Sequence, residues 1–285
     1  MRPIYDCHVN VWDPEHYLPL YQEQLARVRP GGLPPKSDAD TLARELSGAA
    51  KAILFSPRYG DSLGIQGNDR TTAEAVAKYP ERFIGFAYLD PREPDYMETL
   101  KRSIAEYGFK GVKFGPIYNA VGLDDERMQP VYAFLQENDL PLTLHMGTTF
   151  TVNSPIDFGR PLHVDPVALA YPDLKIIMAH MGHPWTAECT VIIRKNRNVY
   201  GELTGLCYRP WIFYNSLVEI QDYEIVDKVF FGTDYPFSGL QEAIDGLRDV
   251  NAIAEGTALP RISAETIETI LHSNPFEQWW HDDPL

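Results

Sequence analysis

The sequence predicts a single-domain (β/α)8 barrel, the TIM-barrel class of α/β fold, over residues 1–285. The chain has 285 residues, close to the ~250 residues typical of this fold. Eight short apolar runs alternate with segments of helical spacing, and no two strand-like runs are adjacent. The runs are almost continuously apolar, as expected for parallel strands that are covered on both faces.

The first predicted strand, residues 3–12, carries an unusual row of polar side chains. Successive side chains of a strand point to opposite faces, so we expect Asp6, His8 and Asn10 on one face and Cys7, Val9 and Val11 on the other. Polar groups in an otherwise apolar strand are costly when buried unless they are paired. A metal ion or a polar substrate would pair them, so this strand predicts one wall of a functional site.

The remaining elements follow in regular alternation. The other strands are predicted at 51–57, 83–90, 111–117, 141–147, 174–182, 199–205 and 229–237. Helical spacing occurs at 38–49, 70–78, 96–107, 124–138, 166–171, 184–195, 214–220 and 240–255. A last helix at 263–271 and the segment after it are expected to pack across the barrel. The loop at 13–37 is long and rich in proline, glycine and tyrosine, which favours a lid over the site.

Residues that can bind a metal or a proton collect at one end of this predicted barrel. The active site of such a barrel lies at the C-terminal ends of its strands. Six of the eight strands carry candidates there: Asp6, His8 and Asn10 on the first, Lys113 on the fourth, His145 on the fifth, His180 on the sixth, Glu202 on the seventh and Asp234 on the eighth. This convergence predicts a metal site.

Composition restricts the partners. A net charge of −15 argues against a nucleic-acid or anionic membrane surface, and an anionic substrate would need local positive charge or a metal. No apolar run approaches the ~20 residues of a membrane span. Three unpatterned cysteines and the absence of a visible signal peptide favour a reducing cytoplasm. We therefore expect a small-molecule substrate.

Five short motifs occur in an order that resembles the amidohydrolase superfamily. They are DCHVN at the first strand, GFKGVKFGP at 108–116, LHMG around His145, AHMGHPW around His180, and GTDYPF around Asp234. The similarity is closest to the amidohydrolase-related branch, which includes decarboxylases similar to aminocarboxymuconate-semialdehyde decarboxylase. The resemblance implies a barrel that holds a divalent metal, typically zinc, through His8, His145 and Asp234. It also implies catalytic roles for His180 and Asp234 at a metal-bound water or the substrate.

One departure from the family pattern leaves the metal count open. The first strand has His8-Val9-Asn10 where the family usually has His-x-His. Asn10 and Glu202 are therefore further candidate ligands, and Glu202 could instead pair with Arg209 or Lys113. In some superfamily members the fourth-strand lysine is carboxylated and bridges two metals, whereas here Lys113 could also bind a substrate carboxylate. A site rich in carboxylates would suit manganese or iron, as one or two ions.

Further candidates concern the substrate. Arg58 and Arg160, in the loops after strands two and five, could bind a substrate carboxylate in bidentate fashion. His183 is a third candidate, with a purely structural role as its alternative. Aromatic residues that follow the strand ends could line an aromatic pocket: Tyr118, Phe150, Tyr208, Trp211, Tyr235 and Phe237.

Three functions are compatible with these residues. The first is a metal-dependent hydrolase or non-oxidative decarboxylase that acts on a small organic acid, lactone or amide, with His180 moving the proton. The second is an oxygenase with a dinuclear iron or manganese centre. The third is a non-catalytic, degenerate barrel in which Asn10 marks a lost ligand. A homodimer is a further expectation.

Overall fold

A computed structural model of the chain describes residues 2–28 and 36–280. Its strands are β1 (Tyr5–Asn10), β2 (Lys51–Phe55), β3 (Arg58–Tyr59), β4 (Ile65–Gln66), β5 (Phe83–Gly85), β6 (Ala87–Leu89), β7 (Val112–Phe114), β8 (Leu142–Leu144), β9 (Ile176–Met178), β10 (Val199–Glu202) and β11 (Val229–Phe230). The barrel strands pair in parallel, and β3 and β4 form a small antiparallel hairpin outside the barrel.

The strand order closes on itself. One sheet has the order β1-β2-β5 and the other β6-β7-β8-β9-β10-β11, while β5 and β6 are successive parts of one predicted strand. The last strand region returns to the first: Val9 bridges Tyr235 in parallel, and the Asp234 N–H donates to the His8 carbonyl at 2.9 Å. The predicted eight-position (β/α)8 barrel is therefore confirmed.

Helices cover the outside of the barrel. They are α1 (Pro19–Val28), α2 (Ala39–Glu45), α3 (Asp69–Lys78), α4 (Tyr96–Tyr107), α5 (Pro116–Asn119), α6 (Gln129–Glu137), α7 (Val164–Ala170), α8 (Thr186–Lys195), α9 (Pro210–Asp222), α10 (Leu240–Arg248), α11 (Ala264–Leu271) and α12 (Pro275–Trp279). Side-chain caps fix several of their first residues, such as Asp38 before α2, Asn68 before α3 and Ser263 before α11. Among the described residues, no helix combines the length and apolar character that a membrane crossing requires.

Two apolar cores flank the strands. The larger one lies between the strands and the surrounding helices. The smaller one fills the barrel interior, where Ile53, Phe86 and Phe230 meet the fully buried Trp279 of α12. Lys175 precedes β9 and donates to the Trp279 carbonyl, which places α12 at the N-terminal ends of the strands. The C-terminal segment therefore packs across the end opposite to the candidate site.

The first strand departs from simple alternation. Its register with β2 shifts between Asp6 and Val9. As a consequence, Cys7 packs with the interior cluster, whereas Val9 packs with the outer core. An irregularity of this kind re-aims the side chains of a strand. The expected placement of Cys7 on the same face as Val9 is therefore wrong.

The long loop after β1 is described in part. It contains a short 3-10 turn, Pro14–His16, and α1, whereas residues 29–35 lie outside the described residues. Tyr21 of α1 packs in an aromatic cluster that includes Trp12 and Tyr118. The role of the 13–37 loop as a lid stays a prediction, as does the homodimer.

Candidate metal centre and substrate cavity

The strands end earlier than the sequence predicts, and three candidate residues lie just beyond them. His145 follows β8 directly, whereas His180 and Asp234 lie in the segments after β9 and β11. Both His180 and Asp234 have a φ of +58°. A positive φ is uncommon for residues other than glycine and marks local strain of about 1–2 kcal/mol, which often occurs at functional sites. Glu202 is the last residue of β10, and Lys113 lies within β7.

His8 is the centre of a buried set of charged groups. Its Nδ1 lies 3.0 Å from Glu202 Oε1 and its Nε2 lies 3.3 Å from Asp234 Oδ1. Burial and the Lys113 charge act to lower the pKa of His8, but the two carboxylates outweigh them and raise it. The surroundings of His8 therefore favour a positive charge at this point.

Glu202 is fully buried and already satisfied. One or the other of its oxygens accepts hydrogen bonds from His8 Nδ1, from the His180 N–H at 2.9 Å, and from both the N–H and the hydroxyl of Thr204 at 2.8 Å each. Burial acts to raise the pKa of Glu202, but the His8 charge and these bonds hold it well below its usual value. Glu202, His8 and His180 lie within 4.8 Å of one another, yet a carboxylate has about four acceptor sites. Glu202 is thus placed to orient His8, and its predicted role as a metal ligand stays a prediction.

His145 and His180 face each other across the site. His180 Nε2 lies 3.1 Å from His145 Nδ1. The other nitrogen of each ring meets a backbone carbonyl: His145 Nε2 lies 3.1 Å from the Thr148 oxygen, and His180 Nδ1 lies 3.0 Å from the Thr204 oxygen. Burial lowers the pKa of both histidines, for His145 well below its usual value, so both favour the neutral form.

These partners fix which nitrogens carry protons. A carbonyl or a carboxylate oxygen can only accept, so the outward nitrogens of His8, His145 and His180 must donate to them. The inward nitrogens of His145 and His180 are then lone pairs that face each other, while His8 Nε2 faces the Asp234 carboxylate and is protonated unless a cation lies there. Opposed lone pairs at about 3 Å repel unless a proton or a cation lies between them. Imidazoles whose far nitrogen donates to a fixed acceptor are typical of metal-binding histidines. The donor set of His8, His145 and Asp234, with His180 beside it, fits a divalent metal.

Asn10 supports Asp234. Its amide donates to Asp234 Oδ1 at 2.9 Å and to the Tyr235 carbonyl at 3.0 Å. Both acceptors require N–H groups, so the assignment of the Asn10 nitrogen follows from its surroundings. The side-chain oxygen of Asn10 is used by neither bond. Its predicted role as a ligand stays a prediction.

Lys113 lies below this set, inside the barrel. It is 1% exposed, and its Nζ is 4.9 Å from the centre of the Phe55 ring. Burial lowers its pKa to about 8. Within the described ranges, its Nζ has no hydrogen-bond partner. It does not border the cavity described next, and its contact with a substrate stays a prediction.

A cavity of about 160 Å³ opens beside the metal donors. This is smaller than the roughly 300–1,000 Å³ of pockets for drug-sized ligands, so it suits a small metabolite. His145, His180 and Asp234 form its polar wall. Four of the six predicted aromatic residues line it: Tyr118, Phe150, Tyr208 and Phe237.

The two arginines that were predicted to bind the substrate, Arg58 and Arg160, do not line this cavity. Arg58 is held by Glu93, with Nη1 at 3.0 Å from both carboxylate oxygens. Arg160 pairs with Glu188. Neither guanidinium lines the cavity, because each already has a carboxylate partner. Neither pairing was predictable, since Glu93 and Glu188 lie in other segments of the chain.

His183 and Arg209 do border the cavity. The pKa of His183 is lowered to about 4, first by burial and then by the Arg209 charge. Arg209 was considered only as a partner of Glu202, with which it makes no ion pair in the described part of the chain. It follows the seventh strand as His180 follows the sixth, so the rule that selected His180 would also have found it.

Comparisons with known proteins agree with this geometry. A family model described as Amidohydrolase matches residues 5–277. Gamma-resorcylate decarboxylase of Polaromonas sp. (strain JS666) is 25% identical over 282 residues, covering 81% of this chain and 82% of that protein. The enzyme of the same name from Rhodococcus jostii (strain RHA1) is 24% identical, covering 90% of each.

Solved structures share the fold. An uncharacterised TIM-barrel protein of Bordetella bronchiseptica superposes with a TM-score of 0.72 at 21% identity, covering 95% of each chain. A dihydroxybenzoic acid decarboxylase of Polaromonas sp. JS666, solved with manganese and the inhibitor 2-nitroresorcinol, has a TM-score of 0.67 at 19% identity and covers 99% of this chain and 98% of that one.

Proposed function

We propose that this chain, which belongs to the amidohydrolase family of enzymes, is a metal-dependent, non-oxidative decarboxylase of small aromatic acids. The observation that carries the proposal is the inward-facing donor set of His8, His145 and Asp234 beside an aromatic-lined cavity. The names of its decarboxylase relatives support the reaction type. Their aromatic substrates are consistent with the rings of Tyr118 and Phe237.

The metal would be held by His8, His145 and Asp234. When bound, a divalent ion would act as a Lewis acid that draws electron density from the oxygens of the substrate. The neighbour solved with manganese favours this metal over the zinc that the sequence suggested. Because Oε1 of Glu202 already accepts from His8, His180 and Thr204, we expect one ion per chain rather than two.

His180 is the proposed proton carrier. Its Nδ1 is held by the Thr204 carbonyl, so Nε2 is the nitrogen that points to the cavity wall. In the reaction, Nε2 takes up a proton from solvent and passes it to the ring carbon that bears the carboxylate. The bond to the carboxylate then breaks, its electron pair restores the aromatic ring, CO2 leaves, and Nε2 is again a lone pair. No electron acceptor is needed. Burial lowers the pKa of His180, so a proton placed on it is readily given up.

The test is product analysis with a panel of hydroxybenzoates that includes gamma-resorcylate. We expect one CO2 per decarboxylated ring, at equal rates with and without oxygen. Chelation should abolish the reaction, and added manganese should restore it. A requirement for oxygen would contradict the proposal in favour of the dinuclear oxygenase, whereas lactone or amide cleavage without CO2 would favour a hydrolase.

A variant separates catalysis from metal binding. His180→Ala should abolish CO2 release while the metal content stays near that of the native protein. His163→Ala is the matched control, because this exposed histidine pairs with Asp157 away from the donor set. Loss of the metal in His180→Ala would instead make His180 a ligand. No activity in a fully metallated native protein on any acid tested would favour the non-catalytic barrel.

A further inference from the structure

Arg209 is a cation at the cavity wall of a strongly acidic protein. The chain carries a net charge of −15, and most cavity-lining groups near the metal donors are neutral or negative. Arg209 immediately precedes α9, whose first turn contains no acidic residue. A cation at such a position has no obvious role in folding.

The contacts of Arg209 leave most of its donors available. Its Nη1 donates to the Gly205 carbonyl at 2.8 Å, and its guanidinium stacks on Tyr208 at 4.5 Å from the ring centre. Within residues 2–28 and 36–280, no carboxylate forms an ion pair with it. A guanidinium has five N–H groups in a planar fork that matches a carboxylate. The fork is therefore positioned by two contacts and can still bind an anion.

Other arginines of the molecule show the contrast. Arg58, Arg92, Arg127 and Arg160 each pair with an aspartate or glutamate. Their charges are neutralised within the protein. Arg209 alone among these five combines an unpaired guanidinium with a place in the cavity wall, so its natural counter-ion is a cavity ligand.

Gly205 links the arginine to the metal end of the cavity. Its carbonyl accepts from Arg209, while a side chain built on its Cα would come within 3.3 Å of His180 Nδ1 and 3.7 Å of Asp234 Oδ2. Gly205 therefore lies between Arg209 on one side and His180 and Asp234 on the other. Arg209 and the donors His145, His180 and Asp234 line the same cavity, so one ligand in it borders both.

We infer that Arg209 forms a second anion subsite, so that the natural substrate is an aromatic acid with two anionic groups. This inference rests on the proposed function: one carboxylate lies at the metal end and leaves as CO2, and the second stays in place on the Arg209 fork. His183, which lies beside Arg209 and is neutral near pH 7, adds a hydrogen bond rather than a charge.

The test measures binding and does not depend on turnover. Isothermal titration of the manganese-loaded protein with benzene-1,3-dicarboxylate and with benzoate compares a dianion with a matched monoanion. In the native protein we expect the dianion to bind at least about tenfold more tightly. Arg209→Met should weaken dianion binding by about tenfold to a hundredfold, the range of a lost charge-assisted contact, and benzoate binding by less than about threefold. Arg209→Lys should restore part of the preference.

Arg197→Met is the matched control. It removes the same charge from an exposed position outside the cavity lining, and it should leave the dianion preference unchanged. Circular dichroism and metal content verify that each variant is folded. Equal affinity of the native protein for both acids, binding of neither, or an unchanged preference in Arg209→Met would overturn the subsite.

The outcome for the subsite is separable from that for the proposed function. A dianion preference that disappears in Arg209→Met, with no CO2 released from any aromatic acid, would support the subsite and contradict the decarboxylase. CO2 release from aromatic acids, with equal affinity of the native protein for the dianion and the monoanion, would support the decarboxylase and overturn the subsite.

Discussion

The carboxylate of Glu202 illustrates how a single buried residue organises the site through its hydrogen bonds. It fixes the proton of His8 on Nδ1 and thereby turns Nε2 towards Asp234. It also anchors the backbone of His180, whose side chain forms the adjacent wall. One buried side chain thus sets the direction of two imidazoles. The chemistry of the site depends on this pairing as much as on the donors.

Glu202→Gln should test this role. The amide replaces one acceptor oxygen with a donor, so it cannot accept all four hydrogen bonds and no longer fixes the His8 tautomer. We expect the affinity for manganese to fall by about tenfold to a hundredfold while the fold is retained. Titration against a competing chelator, with circular dichroism, measures both effects.

Glu219→Gln is the control, because Glu219 is a half-buried glutamate of α9 whose contacts are Asn215 and Thr186. It should bind manganese like the native protein. A native protein that holds two ions and a Glu202→Gln variant that holds one would show that Glu202 is a ligand.

The sequence was sufficient to predict the location of a residue where that location follows from the barrel alone. His145, His180 and Asp234 follow parallel strands, so their meeting at one end is a consequence of the barrel. It failed where a distant partner decides. Arg58 was expected at the substrate, but Glu93 holds it elsewhere.

At the level of elements, the segments that follow the strands determine where the side chains of the site lie. The first strand shows why alternation alone is insufficient. Asp6 accepts from the Thr233 N–H at 3.0 Å and from its hydroxyl at 2.7 Å. The register of the first strand shifts between Asp6 and Val9. The pairing with Thr233 ties the strand at this point to the segment after the last strand. No local pattern in residues 3–12 reveals a partner more than 200 residues away.

The loop between β10 and α9 requires glycine at position 205, and a matched pair of variants tests this. Gly205 and Gly108 have φ values of +68° and +67°. A side chain at Gly205 would contact His180 Nδ1 at 3.3 Å, whereas Gly108 has nothing within 4 Å. Alanine at either position should cost about 1–2 kcal/mol of unfolding free energy, from the backbone alone.

Only Gly205→Ala should also disturb the cavity. We expect its affinity for benzoate in the manganese-loaded protein to fall by at least about tenfold, while Gly108→Ala binds like the native protein. Urea unfolding and calorimetric titration give the two quantities. If both variants bound benzoate equally well, the space above Gly205 would not be part of the ligand site.

At the scale of the whole molecule, the barrel separates function from stability along its axis. The C-terminal strand ends carry the donors and the cavity, whereas the N-terminal ends are closed by α12. Trp279 contacts the rings of Phe86, Tyr200 and Phe230 in the interior. The barrel itself could be predicted from length and alternation. The identity of the residue that closes its base could not, because α12 is short and follows no strand.

Trp279→Ala should therefore lower stability without changing the site. Removal of a fully buried tryptophan is expected to cost about 3–5 kcal/mol of unfolding free energy. Urea unfolding measures it, and the folded fraction should bind manganese with native stoichiometry. Trp211→Ala, at a tryptophan that is 56% exposed, should change stability little. A folded Trp279→Ala protein that has lost its metal would contradict the separation.

The closure between the first strand and the segment after the last has a consequence for biosynthesis. Asn10 and Asp234, which meet at the site, are separated by 224 residues. At translation rates of about 5–20 residues per second, the nascent chain exposes the first strand for roughly 10–45 s before its partner emerges from the ribosome. The candidate metal donors His8 and Asp234 therefore come together only near the end of synthesis. During that interval, one edge of the first strand and its polar side chains lack the partners that pair with them in the folded protein.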